Sequence, residues 1–351
     1  MNENIRQATV DDVEIIRQFL SEHWSQNHIL TKSEELFNFF YFNRFKKNLN
    51  FFLGFQNNQL TGIQGFIPSN QFVSEVTPPL NSENNLVICL SLWKVLSFAP
   101  NGQGLRLIRR IEDTFLNSTI IATGYHDSVE PIYKRLGYDT GVLNHYTVMH
   151  PNLKNVDTIF ESLPDVKSNI VVGLQNVDLI KLKNSERINE YLINLGKNNK
   201  IKNFVKPPEH YLKRFIDFKW YNYEFYQIVS KKRENLGFFI SRITASPYGP
   251  VLRIVDIITD DYSLNLYDPI QELLIDLNLI YADYFDNLNI EKNQVPFGLI
   301  RLNETQNLPN LFEPFSNRRK LIRLAIRTKT NCALPYITRS DGDQDRPSEV
   351  R

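Results

Sequence analysis

The sequence predicts an α/β protein with mixed, α+β-type sheets, built as two related domains of which the second is degenerate. Three observations carry that expectation. Strand-like and helix-like apolar patterns alternate over the first 150 residues. Two similar hairpins, with Gly62 and Gly237 in the same place, recur half a chain length apart and suggest a diverged internal duplication, although such hairpins also recur by chance. Finally, 351 residues suit two domains or one large one, with enough chain to bury real cores.

Composition narrows the class. The chain is 42% hydrophobic and 23% charged, the ordinary globular range. With 40 basic against 39 acidic side chains, its net charge of +1 argues against a strongly electrostatic nucleic-acid binder. No apolar run reaches the roughly 18 residues that span a bilayer, and the first twelve residues carry no signal-peptide core. The two cysteines, Cys89 and Cys332, supply neither a disulfide framework nor a zinc cluster, and no residues have metal-ligand spacing. The expectation is a soluble, cytoplasmic protein with no nucleic-acid partner, no membrane insertion and no metal.

The elements follow in order. Thr9 caps a helix whose apolar positions are Val13, Ile15, Ile16, Phe19 and Leu20, with Asp11 and Asp12 at its positive end. Phe51–Phe55 and Leu60–Ile67 form a hairpin around the polar turn at 56–59. A strand over Ser91–Phe98 enters a glycine-containing loop and a helix over Leu105–Leu116 with Leu105, Ile108, Ile111 and Phe115 on its buried face. A strand at Thr119–Thr123 precedes a helix ending at Leu136-Gly137, where glycine suits the residue after a helix, and two short strands run on to Met149. Residues 1–155 are therefore read as the first domain, with order β-α-ββ-β-α-β-α-β. Residues 156–205 read as a connector with a strand at Ile170–Leu174 and a helix at Glu186–Leu195, and 206–351 as the second domain, with a helix at Glu209–Trp220 and a hairpin at 224–243.

The stretch from Leu96 to Ile108 is the most informative. Glycines let a ligand approach the backbone closely, and the first amides and macrodipole of the following helix favour an anion such as pyrophosphate. The bland reading is an ordinary strand-to-helix turn, since the spacing is neither a Walker loop nor a dinucleotide fingerprint.

Asn101-Gly102-Gln103-Gly104-Leu105-Arg106, the hairpin, and Ile132-Tyr133-Lys134-Arg135-Leu136-Gly137-Tyr138 together resemble the GCN5-related N-acetyltransferase superfamily. Its acyl-CoA loop is written Q/R-x-x-G-x-G/A and its next helix often ends L-Y-x-x-x-G-F/Y. Asn101 and Arg106 depart from the loop pattern; Gly104 and the helix signature match it. Trp24 with Asn27-His28-Ile29-Leu30, Asn310–Phe315, and the tail Asp341-Gly342-Asp343-Gln344-Asp345-Arg346-Pro347 are similar to a tandem-domain subgroup that acylates dTDP-linked amino-dideoxy sugars for bacterial surface polysaccharides, such as the O-antigen of lipopolysaccharide, one type using 3-hydroxybutanoyl-CoA.

The resemblance implies an acyl-CoA-dependent sugar N-acyltransferase, transferring an acetyl or 3-hydroxybutanoyl group, with no tightly bound cofactor and a homo-oligomeric assembly. Acyl-CoA and a nucleotide-linked amino sugar would be its partners. A bulged strand over Trp93–Ser97 would expose Val95 and Leu96 to the thioester, with Leu96 as the oxyanion contact, and the amides of Gly102–Arg106 would hold pyrophosphate. Tyr133 would protonate the departing thiolate, and His126 would touch the pantetheine arm. Each has a plainer reading, as a packed helical tyrosine and an incidental surface histidine.

His28 is the preferred base, over His126 and His145, although a sugar amine can also arrive neutral. Trp24, His28, Arg242, Arg253, Asp341 and Arg346 are the acceptor-side candidates. The arginines suit phosphate by their forked geometry, but equally suit structural ion pairs. The second half carries Thr259-Asp260-Asp261-Tyr262 where a phosphate loop would stand; two carboxylates repel a pyrophosphate, so this half is expected to cover the acceptor side. Competing readings are a tandem aminoacyltransferase of peptidoglycan and a non-catalytic acyl-CoA or nucleotide sensor.

Overall fold

The computed structural model describes residues 3–73, 86–152, 174–197, 206–288, 296–312, 315–328 and 334–348. Cys332, most of the expected strand at Ile170–Leu174, and Glu313 and Pro314 lie outside them. The chain forms two compact units. The first comprises 1–141, 322–335 and 341–351, and the second 142–321 and 336–340.

In the first unit, β1 (Glu3–Thr9), β2 (Phe42–Asn43), β3 (Asn48–Gln56), β4 (Gln59–Pro68), β5 (Val87–Val95), β6 (Thr119–Thr123) and β7 (Asp139–Val142) belong to one mixed sheet. The expected hairpin is β3–β4, joined by Asn57 and Asn58, both at positive φ as a tight two-residue turn requires. Thr9 starts the first helix as expected, through a 3₁₀ turn at Val10–Asp12 that leads into Val13–His23. Its N–H donates to Asp12 Oδ2 at 2.7 Å, and the Arg6 guanidinium bonded to that carboxylate holds Asp12 below its ordinary pKa.

Helix Gln103–Thr114 packs Leu107, Ile108 and Ile111 into a core with Ile88, Leu90 and Tyr133. Leu105, expected inside, is 39% exposed. The helix starts two residues earlier than its apolar pattern indicates, and the polar Gln103 is the buried residue of its first turn. Gln103 Oε1 accepts from Thr61 Oγ1 at 3.1 Å, and its side chain fills the space left by Gly54 and Gly62, where a Cβ would lie 2.8 and 2.7 Å from it.

The second unit has β8 (Asn144–Met149), β9 (Gln175–Leu182), β10 (Tyr223–Ser230), β11 (Asn235–Thr244), β12 (Val251–Ile258), β13 (Leu264–Asn265), β14 (Tyr281–Asp286) and β15 (Ile300–Arg301) in the order β13-β9-β10-β11-β12-β14-β8-β15. The hairpin β10–β11 matches the expected one closely. The stretch read as a connector contains the expected helix, here Ser185–Lys197, whose Ile188, Leu192 and Leu195 enter a core, and it also supplies β9, paired along β10, just after the expected strand.

The two sheets are built alike. Each holds a parallel pair, β5–β6 and β12–β14, preceded by a register break against the hairpin strand before it. Each pair is followed by an antiparallel strand drawn from a distant part of the sequence. In the first unit that strand, between β6 and β7, is Arg323–Arg327, here β18, after the short pair β16 (Leu311–Phe312) and β17 (Phe315–Ser316). In the second it is β8, which sequence order had assigned to the first domain. Hydrophobic alternation marks these segments as strands but carries no information on which sheet they join.

Candidate active site

The site is built where β5 and β6 separate. Their parallel pairing runs from Val87 opposite Thr119 to Leu90 opposite Ala122 and then stops. Just beyond, Ile63 pairs with Lys94 but Gly65 with Ser91, so Leu92 and Trp93 together face the single residue Gln64. This is a β-bulge, with Leu92 at φ +47, and it turns β5 away from β6. Gln64 Nε2 bridges the bulge, donating to Ser91 O at 2.8 Å and Gly65 O at 2.9 Å. Its Oε1 is buried with no hydrogen-bond partner among the described residues.

The opening leads into a cavity of about 570 Å³, walled by residues 90–94 of β5, by Ala122–His126 at the end of β6, and by Trp24, Gln64, Val129, Tyr133, Asp343, Gln344 and Arg346. All of these belong to the first unit.

On one face of β5, Trp93 and Tyr133 stand with ring centroids 6.2 Å apart, and Tyr125 lies 4.9 Å from Tyr133. Burial holds the Tyr133 phenol well above its ordinary pKa, so the group is a proton donor throughout the neutral range. Tyr133 is placed by the helix Glu130–Arg135 and its left-handed end. Gly137, at φ +80, and Tyr138 return their N–H groups to Lys134 O and Tyr133 O, at 3.1 and 3.0 Å. His126 is an exposed part of the wall, its Nδ1 capping the short turn Asp127–Val129 by accepting from Ser128 N at 3.3 Å.

The helix Gln103–Thr114 starts beside Trp93. Gly102 caps it in the left-handed region at φ +76, so glycine here answers backbone strain. Gly104 has a different reason: a Cβ would lie 2.8 Å from Trp93 Cζ2. The N–H of Gln103 donates to Pro100 O at 2.9 Å and that of Arg106 to Gly102 O at 3.1 Å, whereas Gly104 and Leu105 precede the first amide that can bond within the helix. Arg106 also bonds Asn101 O at 2.8 Å, and with Arg109 and Arg110 it borders a basic groove beside Ile5 and Asp113.

The opposite face carries the C-terminal tail. A Cβ on Gly342, at φ +61, would lie 3.0 Å from Cys89 Cβ; Gln344 Nε2 donates to Thr123 O at 3.1 Å, at the point where β6 leaves β5. Asp343 Oδ2 accepts from Tyr41 Oη at 3.1 Å and from Arg346 Nε at 2.9 Å, and Tyr41 Oη lies 3.1 Å from Ser91 Oγ. Asp341 and Asp345 are buried. Sequence marks Asp343 only as part of the tail motif, and it does not single out Tyr41 or Gln64.

Several sequence candidates are placed otherwise than expected. Leu96 lies beyond the end of β5 and its N–H donates to Thr61 O at 2.9 Å, so it is not an oxyanion contact; the bulge is at Leu92 and Trp93, and Val95 pairs with Gly62. His28 stands behind Arg346 instead of in the cavity wall. Its Nδ1 accepts from Leu30 N at 3.3 Å as a helix cap, and burial, reinforced by Arg346, lowers its pKa to about 4, a poor base. Arg242 and Arg253 lie in the second unit and are only 3% exposed. Arg242 stacks 3.9 Å above the Tyr221 ring; Arg253 pairs with Asp283 and donates to Asn310 O at 2.6 Å. They are packing residues, not phosphate ligands. His145 is buried against Phe285 with its pKa driven down by burial.

The corresponding opening in the second unit is filled by its own chain. β12 and β14 pair only at Leu252–Ala282 and Arg253–Asp283, and Thr338 and Ser340 lie beyond that point. Ser340 N donates to Val255 O at 3.1 Å and Ser340 Oγ to Asp256 Oδ2 at 2.7 Å, while Thr338 bridges to Asp286. Asp261 is spent on its own loop, accepting from Ser263 N at 2.8 Å.

A mixed sheet that splits at a parallel pair beyond a bulge, with a helix N-terminus beside the split, describes the first unit; the second repeats the mixed sheet, the register break and the parallel pair, and the fold is that of GCN5-related N-acetyltransferases. A GCN5-related N-acetyltransferase from Anabaena variabilis superposes with a TM-score of 0.51 at 11% identity, over 93% of this chain and 72% of that one. A conserved protein of unknown function from Enterococcus faecalis, described as a probable N-acyltransferase, gives 0.53 at 8% identity, over 93% and 73%. No family model matches the sequence, and no curated protein matches it. No helix among the described residues is long and apolar enough to cross a membrane, and none of their His, Cys, Asp and Glu groups clusters as a metal site.

Proposed function

We propose that the chain is an acyl-CoA-dependent N-acyltransferase whose reaction takes place in the first unit, and that its acceptor is a nucleotide-linked amino sugar. The observation that carries the acyltransfer reading is the cavity at the split of β5 and β6, open past the bulge at Leu92 and bordered by the Tyr133 ring. Acyl transfer needs a placed thioester, a free amine, donors for the developing oxyanion and a proton for the departing thiolate. The bulge takes backbone groups of Leu92 and Trp93 out of the regular ladder and beside the cavity, which suits a thioester carbonyl. Amides of Gly104 and Leu105, the helix dipole and the basic groove at Arg106–Arg110 suit a pyrophosphate. Tyr133, kept neutral by burial, suits the thiolate.

The amino-sugar acceptor is supported by the resemblance of the Trp24–Leu30 segment and of the tail, whose Asp343 and Arg346 line the cavity with Trp24. Release of free thiol, followed for acetyl-CoA and 3-hydroxybutanoyl-CoA against a panel of amino and hydroxy nucleotide-sugars, tests both parts. Thiol release that depends on an amino sugar is expected. Release with simple amines but no sugar would retain the acyltransferase and remove the sugar.

A further inference from the structure

We infer that Asp343 is the residue that receives the acceptor amine and makes the site selective for an amine over a hydroxyl, an inference that rests on the acyltransferase reading above. Among the described residues Asp343 is the one carboxylate in the cavity wall, which it shares with Lys94, His126, Arg346 and the phenols of Tyr125 and Tyr133. Its two oxygens are in different situations. Oδ2 is fixed by Tyr41 and by Arg346, at 3.1 and 2.9 Å, and the side chain is only 11% exposed. Oδ1 takes no hydrogen bond among the described residues. A carboxylate held rigidly by one oxygen presents the other as an acceptor with no freedom left to lose, which is the arrangement that orients a donor group strongly.

Tyr41 extends the anchoring to Ser91 at the edge of the bulge, so the carboxylate is tied to the strand that would hold the thioester. Trp24, 44% exposed, lines the same cavity and is available to the body of the acceptor.

The step balances without any further reactant. The neutral amine donates one N–H to Oδ1, which leaves its lone pair free to attack the thioester carbon. As the N–C bond forms, the nitrogen becomes positively charged and acidic, and its proton passes to Oδ1. The C–S bond then breaks, and the thiolate takes the Tyr133 proton. The proton on Asp343 and the vacancy on Tyr133 are restored through solvent. A hydroxyl acceptor would have to lose its proton earlier, to a much stronger base than a carboxylate.

The test uses the full chain and two pairs of probes that differ only by amine against hydroxyl: dTDP-3-amino-3,6-dideoxyglucose with dTDP-6-deoxyglucose, and glucosamine with glucose. Binding is measured by calorimetry at a pH where part of each amine is neutral, and thiol release is followed in the same samples. The wild-type protein is expected to prefer the amine of at least one pair by about tenfold or more, the worth of one hydrogen bond to a charged group. Asp343→Asn keeps an anchored oxygen but turns the free acceptor into a donor, and it is expected to lose that preference while its melting temperature and CoA affinity persist. Asp343→Glu, which keeps the charge but moves it by one methylene, should retain the preference with a raised amine KM.

No amine preference in the wild type, whether through equal binding or no binding, overturns the inference, and so does a preference that survives in Asp343→Asn. Amine selectivity without thiol release would instead sink the acyltransferase reading and leave Asp343 as an amine-binding residue.

Discussion

Tyr41 and Asp343 are hydrogen-bonded at 3.1 Å although 302 residues separate them in sequence. Tyr41 ends a helix at Glu34–Tyr41 and is fully buried, and burial holds its phenol protonated far above the ordinary range. The hydroxyl therefore acts as a fixed donor that orients a carboxylate in the tail. Tyr41→Phe should cost about 0.5–1.5 kcal/mol of stability, the net value of one such bond. It should also raise the acceptor KM several-fold with donor KM unchanged. Thermal unfolding and steady-state kinetics read the two effects separately, and an unchanged acceptor KM would detach Tyr41 from the site.

Tyr133→Phe should lower kcat by up to roughly 10²–10⁴-fold, with little change in donor KM, because a proton donor acts as thiolate charge develops. The ring packing against Trp93 and Tyr125 is kept by phenylalanine, so folding is expected to persist. An unchanged kcat, with the chemical step shown to limit turnover, removes Tyr133 from the mechanism.

Acyl-CoA should bind once per chain. The second unit's opening is filled by Thr338 and Ser340, both bonded to Asp256, and its loop at 259–262 offers carboxylates in place of a glycine-bordered helix start. Calorimetry with CoA checks the stoichiometry. Two equivalent sites would contradict the assignment of the donor to the first unit.

Asp286 should withdraw stability from the second unit as pH rises from about 4 to about 7, against the opposite contribution of the buried His145, whose lowered pKa favours folding as pH rises. Burial lifts the Asp286 pKa to about 7, whereas an unfolded aspartate titrates near 3.9. A carboxyl with the higher pKa in the folded state binds its proton on folding, so its contribution is fully present below about pH 4 and is lost as pH climbs through 7. Asp286→Asn retains an oxygen for Asn144 and Leu288, which now bond Oδ1 at 3.0 and 3.1 Å. Denaturant unfolding across this range should show the wild type losing stability relative to the variant as pH rises; identical slopes would refute the assignment.

Local patterns carried the hairpins, the helix cap at Thr9 and the Tyr133–Gly137–Tyr138 helix end, because each is set by residues a few positions apart. What escaped sequence reading depends on partners far along the chain. The bulge at Leu92 exists only through its register with Gln64, so Leu96 looked as good a candidate. Gln103 is polar and reads as surface, but two glycines on β3 and β4 make room for it inside. The charged tail was legible as unusual, yet Asp343 is distinguished from Asp341 and Asp345 only by Tyr41 and the cavity. Arg242 and Arg253 suited phosphate by type, and their burial against aromatic rings is invisible to composition.

The late arrival of β18 sets a clock on synthesis. β6 pairs with β5 on one edge, but its other edge is closed by Arg323–Arg327, and the Tyr125 hydroxyl beside it finds its acceptor, Leu324 O, 199 residues further along. On a ribosome moving at about 5–20 residues per second, that edge waits on the order of 10–40 s with its amides and carbonyls unpaired. β8 is made early and has to be kept for β14, which follows far behind it. A truncated chain ending at residue 155 would therefore hold a strand with no sheet to join and a sheet with a strand missing. The two halves are obliged to be translated, and to fold, as one molecule.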